Sequence, residues 1–288
     1  MPRHCGAPTS ASPLGQRGTD VARATAALVL LDDNFASIVD TVRQGRHILQ
    51  NIQRAFLYLM AFHIPIVALA VLAPLTGVPL LLLPIHLVWL ELIVHPVSAL
   101  VFQAEPATES VMGRPPPDPA APLLPRAAVI RSTLSGSALA VASFVAYAWQ
   151  WPSVGEAQSR ALALIVLFAG YQTLIVAERL ALHEPSMPLM PRTRVFWGVW
   201  CATALNVIAV LYLPYLARLF RVTAPPATDV AGAIVVGTTA VGWRLVLRTR
   251  RPVQRNPDLT RWASGPWSGC RRGGRGAGTP SDFRNRGS

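Results

Sequence analysis

The run LVWLELIVHPVSALVF, residues 87–102, would pass for a membrane span but for Glu91, His95 and Pro96 near its middle. Glu91 and His95 are four residues apart, so on a helix they share a face. Pro96 has no N–H to give the carbonyl of Leu92, which is left free beside them. The preceding apolar run repeats the arrangement: His63 is followed by Pro65, which denies a hydrogen bond to the carbonyl of Ala61. Two neighbouring helices, kinked at Pro65 and Pro96, therefore offer one carboxylate, two imidazoles and two loose backbone oxygens at mid-depth. A charged acid at the centre of a span costs about 2.5–3.5 kcal/mol on insertion scales, and such a residue faces a cavity or the bundle interior and marks an ion or proton path. Glu91 is the one acid near the middle of any apolar run in the sequence. The competing reading keeps Glu91 protonated and hydrogen-bonded to His63 or His95 as a strut between helices. Among the other polar residues, His86 follows Pro84 near a span end and reads as an interfacial histidine. Tyr171, Gln172 and Asn206 read as interhelical hydrogen-bonding groups. Glu178 beside Arg179, at a helix end, asks for no functional account.

Such residues need helices to place them, and the chain supplies them in order. Residues 1–19 are rich in Pro, Ser and Gly and read as irregular. ATAALVLLDD (24–33) holds a short apolar run ended by two acids, the pattern of a buried strand over 26–31. Ser37 with Asp40 fits a capping box, so a helix is expected to start there. Ile38, Val42, Leu49, Ile52 and Phe56 recur near helical spacing, and nothing breaks the pattern before the apolar run at Phe56. One continuous helix is expected, its lower half (37–55) wet and its upper half in the membrane. Six apolar segments follow, at about 56–73, 79–102, 127–149, 161–182, 195–217 and 229–247, each long enough to cross a hydrocarbon core of about 30 Å. The expected fold is thus an all-α transmembrane six-helix bundle with a cytoplasmic helical stalk and a short orphan strand at the N-terminus. No repeat of 20–50 residues is evident.

Composition agrees with a bilayer setting. Of 288 residues, 52% are hydrophobic and 14% charged, against about 25% charged in soluble domains. The net charge is +12, and every basic residue is arginine. Ten arginines crowd between Arg248 and Arg286, so the basicity belongs to a tail (248–288) rather than to a nucleic-acid-binding domain. That tail reads as disordered. Its single CRRGGRGAG is weak evidence for RNA, no nucleic-acid partner is expected, and anionic lipid is the better neighbour. Cys5, Cys201 and Cys270 form neither a CxxC pair nor a disulfide framework. Residues 1–20 lack the apolar core of a signal peptide. Arginines in the loops after the second and fourth spans, with the tail, outweigh Arg218 and Arg221 on the other side and place both termini in the cytoplasm; an inner (plasma) membrane is the expected location.

At this point the sequence resembles a known family. GQRGTDVARATAALVLLDDNFASIVDTVRQGRHILQNIQRAFLYLMAF (15–62) is similar to the junction in P-type cation-transporting ATPases where the phosphorylation domain ends and the stalk of the fifth membrane helix begins. LLPIHLVWLELIVHPVSALVFQAEPA (82–107) resembles the sixth helix, and ESVMGRPPPDP (109–119) the loop after it. The last four spans agree in number and placement. The resemblance implies an ATP-driven pump in which phosphorylation of a cytoplasmic aspartate swings membrane helices between inward-open and outward-open states, with residues 20–36 a remnant of the phosphorylation domain and the stalk as coupling rod.

The departures are as informative. The family's DKTGT, TGES and GDGxND motifs do not occur here, so this chain is not expected to hydrolyse ATP alone, and no catalytic residue is assigned in it. It looks like membrane helices five to ten of a pump, whether a truncated gene or half of a split one. Mg and ATP are expected only for the complete pump, and the missing N-terminal half is an expected partner. Calcium pumps of the family carry Asn-Val-Gly-Glu where this chain has His63-Ile64-Pro65-Ile66, and Asn with Asp-Gly where it has Glu91 and His95-Pro96. Calcium wants six to eight oxygens, which one glutamate and two histidines match poorly. Imidazole titrates near pH 6.5 and suits a proton or a proton-coupled ion, and a transition metal also accepts His and Glu. A cation or proton is the expected cargo. The rival readings are a six-helix secondary transporter or channel, which leaves 15–50 unexplained, and a non-catalytic remnant or regulatory membrane protein.

Overall fold

The computed structural model describes residues 35–106, 112, 122–181 and 193–249. The expected irregular N-terminus, the strand over 26–31 and nearly all of the arginine-rich tail lie outside the described residues. Every regular element among the described residues is helical: α1 (Phe35–Thr76), α2 (Pro84–Trp89), a π-helical turn (Leu90–Val94), α3 (His95–Gln103), α4 (Arg126–Val154), α5 (Glu156–Ala181), α6 (Arg194–Tyr212), α7 (Pro214–Leu219) and α8 (Ala227–Thr249). Six stretches are long and apolar enough to cross a membrane, with α2, the π turn and α3 together making the second. The chain is an all-α integral membrane protein.

α1 is a single helix of 42 residues that runs on through Pro65 and Pro74, about 63 Å at 1.5 Å per residue. Phe35 is already helical, so Ser37 and Asp40 stand inside the helix rather than at its cap. Two expected spans are corrected. The second begins at Pro84, not 79, because a proline fits the first turn of a helix and the leucines before it form a non-helical connection. The fifth stops at Tyr212 and not 217: Pro214 cannot continue the helix, so α7 starts anew there.

α5 is the central post. Residues 161–168, apolar on every side, are all buried, as a helix surrounded by other helices must be. α1, α4 and α8 pack around it. Small residues set the close approaches. A Cβ added at Gly136 of α4 would lie 2.6 Å from the Ala61 carbonyl oxygen, and one at Gly237 of α8 would lie 2.2 Å from the Val166 carbonyl oxygen. Glycine there lets backbones touch, the usual device where lipid offers no hydrophobic drive to association. The expected hydrogen-bonding groups act between helices: Tyr171 Oη donates to the Phe62 carbonyl (3.1 Å), Gln172 Nε2 to Thr203 Oγ1 (2.7 Å), and Trp89 Nε1 to Asn206 Oδ1 (2.6 Å).

Candidate intramembrane ion site

Glu91 stands in the π turn, with the apolar halves of its span on either side. The turn has a local cause. Pro96 cannot donate to Leu92, and the His95 N–H passes over the Glu91 carbonyl to reach that of Leu90. The Glu91 and Leu92 carbonyls thus both lack the donor an α-helix would give them. π turns of this sort are frequent at functional sites.

The three predicted side chains meet. His63 Nε2 of α1 lies 3.2 Å from Glu91 Oε1, and His95 Nδ1 lies 4.0 Å from Glu91 Oε2. The two imidazoles sit edge to face with centroids 5.4 Å apart. Each ring is held by a neighbour. His63 Nδ1–H donates to the Leu59 carbonyl at 2.8 Å. The His95 ring stacks on Phe62, at 5.0 Å, and on Tyr58, at 6.3 Å. Phe62 in turn packs on Tyr171 of α5, so the central post supports the site. The side chains of Glu91 and His63 are 39% and 41% exposed, which leaves one flank open to a further element. Among the described residues no three His, Cys, Asp or Glu side chains converge tightly enough to form a ready-made metal centre.

The backbone ligands divide. Leu92 shares the π turn with Glu91, although its own side chain points outward, 72% exposed. The Ala61 carbonyl lies instead against Gly136, in the contact between α1 and α4.

Sequence reasoning missed the charges at the two ends of the bundle. At the stalk end, buried Glu178 pairs with Arg244 of α8 through both oxygens and accepts from Ser132 Oγ of α4 at 2.6 Å. Arg179 turns away to Glu105, Nε to Oε1 2.8 Å, and the Glu105 carbonyl accepts from His47 Nε2 of the stalk at 2.8 Å. A signal was available, since adjacent helical residues do not face each other, so Glu178 and Arg179 each needed a distant partner. At the far end, buried Arg160 donates to the carbonyls of Leu81 (3.2 Å), Leu80 (3.0 Å) and Arg221 (2.8 Å). His86 is not interfacial but buried, its Nε2 donating to the Phe220 carbonyl at 2.9 Å. These contacts satisfy two connections that would otherwise expose bare carbonyls near lipid.

The first helix of this membrane bundle runs on into a long stalk, and polar side chains gather at a break in the second span. The family described as "Cation transporting ATPase, C-terminus" matches residues 79–249, more than half of the chain. The chain belongs to that family. It is 28% identical to the calcium-transporting ATPase of Bacillus subtilis, over 79% of this chain and 26% of that protein. It is 30% identical to the probable cation-transporting ATPase F of Mycobacterium tuberculosis, over 79% and 25%, and 23% identical to the mouse calcium-transporting ATPase type 2C member 2, over 85% and 27%. The chain thus spans about a quarter of the length of these relatives. This membership favours a pump module over a separate six-helix transporter or channel.

Proposed function

We propose that this chain is the C-terminal transport portion of a P-type pump that moves a cation, or a proton, across an inner membrane, with Glu91, His63 and His95 as the intramembrane site and the Leu92 carbonyl beside them. The observation that carries the reading is the convergence of two imidazoles from two helices on a lone carboxylate at a π turn. A carboxylate at this depth is tolerated where a positive charge visits it. The partly exposed flank of the site is where helices of the pump's N-terminal half would close it. That half would also bring ATP, magnesium and the phosphorylated aspartate.

Coupling follows from α1. His63 rides on the same uninterrupted helix as the stalk, 28 residues above Phe35, about 42 Å along the axis. A tilt imposed at the cytoplasmic foot shifts His63 relative to Glu91, opening and closing the site. The arginine-bearing segments at the stalk end support cytoplasmic termini. In a complete pump carrying this chain, Glu91→Gln is expected to abolish ion-dependent phosphorylation or shift it by an order of magnitude or more. Phosphorylation with unchanged ion dependence would refute the assignment.

A further inference from the structure

Two arginines at the end opposite the stalk, Arg218 and Arg221, are exposed, and among the described residues neither guanidinium has an ion-pair or hydrogen-bond partner. The acids at this end are engaged elsewhere: Glu156 meets Arg160 at 3.4 Å, and Asp229 accepts from Thr228 Oγ1 at 3.3 Å. Arg221 also occupies a strained position. Its φ is 50°, in the left-handed region that a side chain disfavours. Its N–H donates to the Arg218 carbonyl (3.2 Å), and the Val222 N–H donates to the Ala217 carbonyl (2.9 Å). This pair of bonds closes a helix and is usually built on glycine. Phe220 and Val222, both buried, grip the turn from either side, and Arg160 Nη1 holds the Arg221 carbonyl at 2.8 Å. Closing α7 accounts for the backbone, but glycine would close it with less strain. What arginine adds is its side chain, presented outward from a fixed turn. Residues held in strained conformations by their surroundings concentrate at ligand sites.

Depth says what the side chains meet. α6 has 19 residues, about 28 Å of helix, which uses up a hydrocarbon core of about 30 Å. The next span begins only at Ala227, so residues 213–226 lie at head-group level. There Tyr215 and Leu219, four residues apart on one face of α7, are 78% and 47% exposed. Tyrosine is a usual residue of that layer. Arg218, three residues from Tyr215, shares its face. An arginine stem lies along apolar surface while its head reaches toward water, and the planar guanidinium matches a phosphate through two hydrogen bonds. Two unpaired positive charges beside exposed apolar side chains complement a lipid that carries a negative head group. A zwitterionic lipid offers the same chains but adds an ammonium that the arginines repel.

We infer that α7 and the turn after it form a docking surface for an anionic phospholipid, with Arg218 and Arg221 on the phosphate of the head group and Tyr215 and Leu219 against the upper part of its chains. The test uses the full 288-residue chain in nanodiscs of phosphatidylcholine doped with photoactivatable phosphatidylglycerol or, in a parallel set, photoactivatable phosphatidylcholine. Cross-linked peptides are mapped by mass spectrometry, so labelling of residues 213–226 is read separately from labelling of the arginine-rich tail. An arginine near a membrane surface is worth roughly fivefold in binding an anionic lipid. Phosphatidylglycerol should therefore label 213–226 about 20-fold more than phosphatidylcholine does, and Arg218→Gln and Arg221→Gly should each lower that preference roughly fivefold. Labelling of the tail should stay the same. Arg221→Gly separates the ligand role from the backbone role, because glycine suits the left-handed turn: thermal stability should hold or rise while the preference falls. Arg221→Asn, also tolerated there, serves where the glycine variant fails to fold. Equal labelling of 213–226 by the two lipids overturns the inference, as does a phosphatidylglycerol preference that survives loss of both arginines.

Discussion

At the residue scale, the sequence exposes what lipid makes expensive. Glu91, His63 and His95 were legible because polar side chains in apolar runs are few, and each demands a partner. The structure brings these three together at 3.2 and 4.0 Å. The Ala61 carbonyl was less legible: Pro65 frees it, but which neighbour receives it depends on where Gly136 of another helix lands. The Glu178–Arg244 pair was hidden for the same reason, since its partners are 66 residues apart. This pair carries a prediction. Arg244→Leu leaves Glu178 buried and uncompensated, which should cost about 3–5 kcal/mol. The double substitution Glu178→Leu with Arg244→Leu should recover much of that loss, because it removes both charges. Thermal unfolding in detergent measures the difference. Equal loss in the single and double variants would show that the pair is not the source of the stability.

At the element scale, hydropathy found six spans but misplaced two ends. Residues 79–83 are as apolar as a helix, yet they form a non-helical connection, and the Leu80 and Leu81 carbonyls are met by Arg160. Hydropathy reports depth, not conformation, and only an arginine from α5 makes a non-helical backbone tolerable there. Pro214 did mark the true end of α6, and a proline near the end of an apolar run is better read as a stop than ignored. The π turn was beyond sequence reasoning, because Pro96 predicts a missing hydrogen bond but not how the helix absorbs it. Helix packing supplies a second prediction. Gly136→Ala would place a methyl 2.6 Å from the Ala61 carbonyl oxygen, forcing α1 and α4 apart at a cost of about 1–3 kcal/mol. Gly198→Ala, with open space around it, should be near neutral. Thermal unfolding of the two variants side by side separates a packing effect from a general intolerance of glycine replacement.

At the scale of the whole molecule, the number of spans was legible from length and composition, and the family from the stalk and the second span. One hydrogen bond and two ion pairs at the stalk end join α1, the connection just after α3, α5 and α8: His47 reaches the Glu105 carbonyl, the Glu105 carboxylate reaches Arg179, and Glu178 reaches Arg244. The far-end connections are bound to α5 by Arg160. α5 is therefore clamped at both ends. Side assignment gives a third prediction. A fluorescent protein fused after Ser288 should fold and fluoresce in the cytoplasm, and alkaline phosphatase inserted at Gly77 or Gly155 should be active on the opposite face. Active phosphatase at the C-terminus would reverse the orientation.

The central claim is that a cation sits on Glu91. The most direct measurement is a high-resolution density map of a complete pump carrying this chain, trapped with its transported ion. The account predicts ion density within about 2.0–2.6 Å of a Glu91 carboxylate oxygen and facing His63. Ion density elsewhere in the bundle, with Glu91 bonded to His63 alone, would contradict it.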